Sequence, residues 1–134
     1  METSPSNNQP HQFPVNEAVV FIEFQNEWVN EQGWLRRNLI EGDVDFPLVL
    51  IKAKKLIKLA RKTSANIIHV TLRPDREYRL FGKAKYGLRA TIAEAGTWKG
   101  DMQDIHVDFK PQENELVINE RTNGCKCFCR EYAG

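Results

Sequence analysis

The chain has 134 residues, 41% of them hydrophobic and 28% charged, and a formal net charge of +1. That is one domain at most, long enough to bury a core of its own. The near-neutral balance argues against nucleic-acid and anionic-membrane partners, and no apolar run approaches the ~20 residues of a membrane span.

Residues 1–16, METSPSNNQPHQFPVN, are polar and proline-containing, without the basic start and apolar block of a signal peptide, and are expected to be a disordered lead. A first strand is predicted over 17–23. Ala18, Val19, Val20, Phe21 and Ile22 are apolar and mostly β-prone, and an acid, Glu23, and the amides Gln25 and Asn26 follow. This pattern predicts a buried, central parallel strand whose carboxyl end brings Glu23 to the sheet edge where α/β proteins bind ligands. Residues 24–46 read as a loop-rich connection with short helical turns. A helix is predicted over Pro47–Lys62, with Asp45 as N-cap and Pro47 in the first turn. Val49, Ala53, Leu56, Ile57 and Ala60 recur at helical spacing as its core face, with Lys52, Lys55, Lys58, Arg61 and Lys62 mostly on the other side. A second strand, Asn66–Leu72, is stopped by Pro74. Together these form a βαβ unit, which takes a right-handed crossover.

Further along, Lys83–Ala95 reads as a helix ended by Gly96, and Gly96–Gly100 as a loop. Pro111–Glu115 reads as a turn before a short third strand, Leu116–Ile118. The three cysteines, Cys125, Cys127 and Cys129, cluster near the end of the chain. An odd number at this spacing is not a disulfide framework, and the setting expected is cytoplasmic and reducing. Zinc sites need about four ligands with wider cysteine spacing, so no metal is expected.

Among residues that could carry chemistry, Glu23 comes first, as a general base at a strand end or as a solvated acid there. Trp28 lines a pocket mouth or packs in the core. His69, inside the second strand, reads as a packed or hydrogen-bonded core residue. The basic and aromatic run Arg76–Lys83 reads as a solvated, partly helical surface.

The motif Glu23-Phe24-Gln25-Asn26, the βαβ unit and the segment from Pro111 to Arg121 resemble the isochorismatase-like cysteine hydrolases, over roughly residues 15–124. Their opening motif is usually written V-I-D-x-Q-N, with the catalytic acid in the position of Glu23. The resemblance implies a Rossmann-like, three-layer α/β fold and amidase-type hydrolysis of a small carbon–nitrogen substrate. It also implies that the family's catalytic lysine falls near Arg121, with Glu120 the other residue for that column. In such enzymes the acid takes a thiol proton, the cysteine attacks, and backbone amides hold the oxyanion. Glu for Asp moves the carboxylate by one methylene. Arg for Lys keeps the charge but does not exchange protons near neutral pH. The family continues through a helix, a fourth strand and the nucleophilic cysteine, for which this sequence has no room.

The reading at this stage is an isochorismatase-like α/β domain over 17–124, truncated after about three strands, with a cysteine-rich tail at 125–134. A truncated or frame-shifted product without turnover is expected, with Glu23 and Arg121 as the catalytic remnants and Trp28 in the substrate seat. The partners expected are a small molecule and further copies of the chain, with no cofactor, nucleic acid or membrane. The alternative is a non-catalytic ligand-binding or interaction protein that pairs with a full-length relative. Whether the chain is an enzyme stays open.

Overall fold

A computed structural model describes residues 17–119. The N-terminal lead, Glu120, Arg121 and the cysteine tail lie outside the described residues.

Three strands, β1 (Ala18–Ile22), β2 (Asn66–Val70) and β3 (Leu116–Ile118), form one parallel sheet in the order β1-β2-β3. Four α-helices accompany them: α1 (Asn26–Val29), α2 (Trp34–Leu39), α3 (Phe46–Arg61) and α4 (Leu88–Ala95). Short 3-10 turns cover Arg79–Phe81, Gly100–Gln103 and Val107–Phe109. The α/β class with a parallel sheet agrees with the sequence reading. No helix among the described residues is long and apolar enough to cross a membrane.

α3 carries the chain back from the end of β1 to the start of β2. Its N-terminus is capped differently from the expectation. The Asp45 side chain makes no cap bond. Instead, Asp43 Oδ1 accepts from the main-chain N–H of Asp45 at 2.8 Å and of Phe46 at 3.2 Å. The capping carboxylate thus sits two residues earlier, because a turn precedes the helix. Ala53, Ile57 and Ala60 of α3 pack on Phe21 of β1, Ile67 of β2 and Phe109. Val49 and Leu56, expected in that stripe, are exposed. They lie beside the stripe on the helical wheel, and no described element covers that flank.

The sheet's two faces differ. Phe21, Ile67 and His69 share the face under α3, through the pairs Val19↔Ile67 and Phe21↔His69. On the opposite face Val70 and Ile118 are buried, whereas Val20, Ile22 and Leu116 are exposed. β1 was expected to be central and buried. Among the described residues it stands at the end of the sheet order, with β2 in the middle.

A second apolar cluster, Leu35, Tyr78, Phe81, Ile92 and Trp98, lies beyond the strand ends. It corrects two expectations. Arg76–Lys83 is not simply a solvated surface, because Tyr78 and Phe81 are core residues within it. The fourth helix begins at Leu88 rather than Lys83, after Gly87 at φ 81°. That backbone, φ 81° and ψ −175°, is far from helical and is open to glycine, so the helix cannot extend back through Gly87. Gly96 ends α4 in the left-handed conformation, as expected.

His69 is a core residue with a partner that the sequence did not disclose. Its Nε2 lies 2.6 Å from Glu115 Oε2, within the segment read as a turn. Because an ionised carboxylate only accepts, Nε2 carries the proton of that bond. Arg61, in the last turn of α3, donates to the same carboxylate through Nε at 2.6 Å and a terminal nitrogen at 3.2 Å, and to Lys110 O at 2.8 Å. Helix, middle strand and third strand are therefore tied by one buried carboxylate. Burial alone would raise the Glu115 pKa, but hydrogen bonds from Arg61, His69 and the main chain outweigh it and hold the carboxyl below the usual glutamate range.

A group whose pKa is lowered by folding stabilises the fold above its unfolded pKa, and that contribution is lost as pH falls through the folded value. Glu115→Ala strands the Arg61 charge and the His69 N–H, and is expected to cost about 3 kcal/mol at neutral pH. In urea titrations from neutral to acid pH, the difference from the unmodified protein should shrink on the acid side. A difference constant across that range would contradict the assignment.

Candidate functional site

The carboxyl ends of the strands gather the candidate residues. Register carries on past Ile22↔Val70 and Val70↔Ile118, so Glu23, Thr71 and Asn119 stand abreast at this edge. The Glu23 main-chain N–H still donates to Val70 O at 2.8 Å, and Thr71 N–H to Ile118 O at 2.8 Å. Immediately after the strand, Glu23 takes a left-handed backbone, φ 59°. For a residue with a β-carbon this costs on the order of 1 kcal/mol and persists only where the surroundings enforce it.

Gln25 of the same motif holds the chain just beyond this turn, and Glu27 ties the segment that follows to the loop at Thr97 and Trp98. The Gln25 side chain is fully buried. Its Nε2 donates to Leu72 O at 2.8 Å and its Oε1 accepts from Leu72 N–H at 2.8 Å, and Nε2 also donates to Gln103 O. The amide thus continues the sheet pairing beyond β1 by side chain rather than main chain. The Glu27 carboxylate is also fully buried. It accepts from Leu35 N–H at 2.9 Å, Thr97 Oγ1–H at 2.6 Å and Trp98 N–H at 3.2 Å. A carboxylate removed from water needs such donors. Glycine at position 33 is required by this packing, since a β-carbon there would stand 2.1 Å from Glu27 O.

Trp28 joins the two apolar clusters and contacts the candidate acid. Its ring packs edge-on to Trp98 at 6.0 Å. Its Nε1–H donates to Glu23 Oε2 at 3.3 Å. A cavity of about 210 Å³ opens beside this pair, lined by Ile22, Glu23, Phe24, Trp28, Val29, Phe46, Val49 and Leu50. Trp28 is partly buried, lining this cavity on one side and packing against both apolar clusters on the other. Chemically, the arrangement is a half-exposed carboxylate beside an apolar seat, with an indole N–H orienting one oxygen. It can accept a proton or hydrogen-bond a ligand amide.

Arg121 and Glu120 lie outside the described residues, as do Cys125, Cys127 and Cys129. Among the described residues, no three His, Cys, Asp or Glu side chains cluster so as to hold a metal. Sequence reasoning passed over Glu27, Gln25 and Glu115 as structural residues. For Glu27, the signal was an acid two residues beyond Gln25, in an apolar helix start between Asn26 and Trp28.

The fold is similar to that of a solved isochorismatase family protein from Desulfovibrio vulgaris subsp. vulgaris str. Hildenborough. The TM-score is 0.56 at 19% sequence identity, over 85% of this chain and 60% of that one. The likeness is one of fold, and this chain spans 60% of the length of that protein. No family model matches the sequence, and no curated protein matches it.

Glu27→Ala leaves the buried Leu35 and Trp98 N–H groups without acceptors. The expected loss is roughly 3 kcal/mol or more of unfolding free energy, with Trp98 emission shifted to the red as its loop loosens. A loss below ~1 kcal/mol would mean that the carboxylate does not organise this loop.

Proposed function

We propose that the sheet's carboxyl edge is the acid-bearing half of a cysteine-hydrolase site of isochorismatase-like lineage. In amidase-type hydrolysis a thiolate attacks the amide carbon, the C–N bond breaks, and the amine leaves with a proton. Water then cleaves the thioester and releases the acid. Glu23 is the base for the thiol, Trp28 walls the substrate seat, and Arg121 supplies positive charge near the nucleophile. The observation that carries the reading is the placement of Glu23. It stands at the carboxyl end of β1, in a strained left-handed turn, bonded to an indole and bordering an apolar cavity. Asn119 leaves β3 abreast of Glu23, which supports assigning the basic role to a residue just beyond it.

Residues 17–119 contain no cysteine, since all three stand at 125, 127 and 129. The second reading is a non-catalytic one, in which the edge binds a small amide-like ligand through the cavity beside Glu23 and Trp28, or the chain pairs with a full-length relative.

Benzamide, an aromatic primary amide, is a suitable probe. It should bind saturably in calorimetric titrations, with Trp28→Ala weakening binding by roughly tenfold, the equivalent of about 1.4 kcal/mol. Ammonia release should stay at background. Release abolished by Glu23→Ala would show an active enzyme. No binding at all would remove the small-amide seat.

A further inference from the structure

We infer, on the footing of the amide seat proposed at this edge, that the main-chain N–H of Phe24 and the Glu23 carboxylate together select a primary amide there. In an unbroken parallel ladder, Glu23 and Thr71 would be the next pair, with Leu72 N–H donating to Glu23 O. Here Leu72 N–H donates instead to Gln25 Oε1 at 2.8 Å. Glu23 turns left-handed, φ 59°, and the peptide between Glu23 and Phe24 leaves the sheet pairing. The buried amide of Gln25 fills the place that this peptide gives up. Backbone strain that its surroundings hold in place collects at ligand clamps, and this turn sets one peptide loose from the sheet beside a cavity.

The chain is pinned on both sides of that peptide. Glu23 N–H donates to Val70 O at 2.8 Å, and Phe24 O accepts from His106 N–H at 3.0 Å. The Phe24 ring packs edge-on to Phe21 at 5.3 Å and against Phe109 at 4.6 Å. Phe24 N–H itself has no acceptor among the described residues. Ile22, Glu23 and Phe24, three consecutive residues, all line the cavity, so their main chain borders it. A preorganised backbone donor and a carboxylate acceptor are thus neighbours in the chain at the cavity wall. A primary amide offers the complement, a carbonyl acceptor and an N–H donor side by side on one edge. Its carbonyl accepts from Phe24 N–H, and its N–H donates to the Glu23 carboxylate. The apolar lining takes the rest of the ligand. Benzoate would set a second carboxylate against Glu23, and methyl benzoate has no N–H to give, so the pair selects the amide over its acid and its ester.

Benzamide is titrated into the full chain with phenylalanine isotopically labelled at the amide nitrogen, the Phe24 signal being assigned by its loss in Phe24→Leu. The Phe24 amide proton should move downfield, and further than with aniline, which has an N–H for Glu23 but no carbonyl. Replacing Phe24 by its α-hydroxy analogue turns that peptide into an ester, which removes the N–H and keeps the ring. Benzamide affinity should then fall roughly tenfold, the loss of one ordinary hydrogen bond, while aniline affinity stays the same. Benzoate should bind the unmodified chain about tenfold or more weakly than benzamide. Unchanged benzamide affinity in the ester variant, with Trp28→Ala still weakening binding, would overturn the donor and leave the seat. A Phe24 proton that benzamide moves no further than aniline does would overturn it equally, without any variant. Benzoate bound as tightly as benzamide would overturn the selection. No benzamide binding by the unmodified chain would remove seat and donor together.

Discussion

A side-chain amide doing the work of a strand is the constraint on which this structure depends. β1 ends at Ile22, yet Gln25 still pairs in both directions with the Leu72 main chain. The pairing resumes after the backbone has turned through the left-handed conformation at Glu23. The turn is held from both sides, by the ladder bond from Glu23 N–H to Val70 O and by the Gln25 amide. The acid is thereby fixed at the sheet edge without any bond to its own carboxylate being needed for the purpose.

From that anchor the rest of the edge is assembled by buried polar groups rather than by apolar packing alone. Glu27 gathers the main chain of Leu35 and Trp98, and Trp98 in turn donates through Nε1 to Leu72 O at 2.7 Å. The loop at 97–104 and the α1–α2 corner are thus bound to the end of β2. Trp28 then stands between Trp98 and Glu23, with its position set by both apolar clusters. At the other end of the sheet, Glu115 plays the corresponding part, joining α3, β2 and β3. Each of these carboxylates is costly to bury and costly to remove, which makes them determinants of geometry more than of net stability.

The elements with strong local signals were legible in the sequence. The apolar run of β1, the long amphipathic α3 and the Gly96 stop of α4 each declare themselves through period or backbone chemistry. Glu23 could be placed at a strand end because an acid directly followed five apolar residues. What could not be read were pairings across long sequence distances. Glu115 lies 46 residues from His69 and Glu27 lies 71 from Trp98, and nothing local distinguishes such acids from solvated ones. The exposure of Val49 and Leu56 was hidden for the same reason. Helical period gives a face, but which neighbour covers its flank is a property of the whole sheet.

The most direct test is amide hydrogen exchange at Leu35, Leu72 and Trp98, whose N–H groups donate to the Glu27 and Gln25 side chains. These amides lie outside every strand ladder, and Leu35 and Trp98 also lack a helical acceptor. If the motif clamps the strand end as described, all three should be protected to nearly the level of global unfolding. Exchange at Leu72 at the rate of an open loop would mean that the Glu23 turn is not held and that the site built on it has no fixed geometry, and such exchange at Leu35 and Trp98 would mean that Glu27 does not bind the loop beside it.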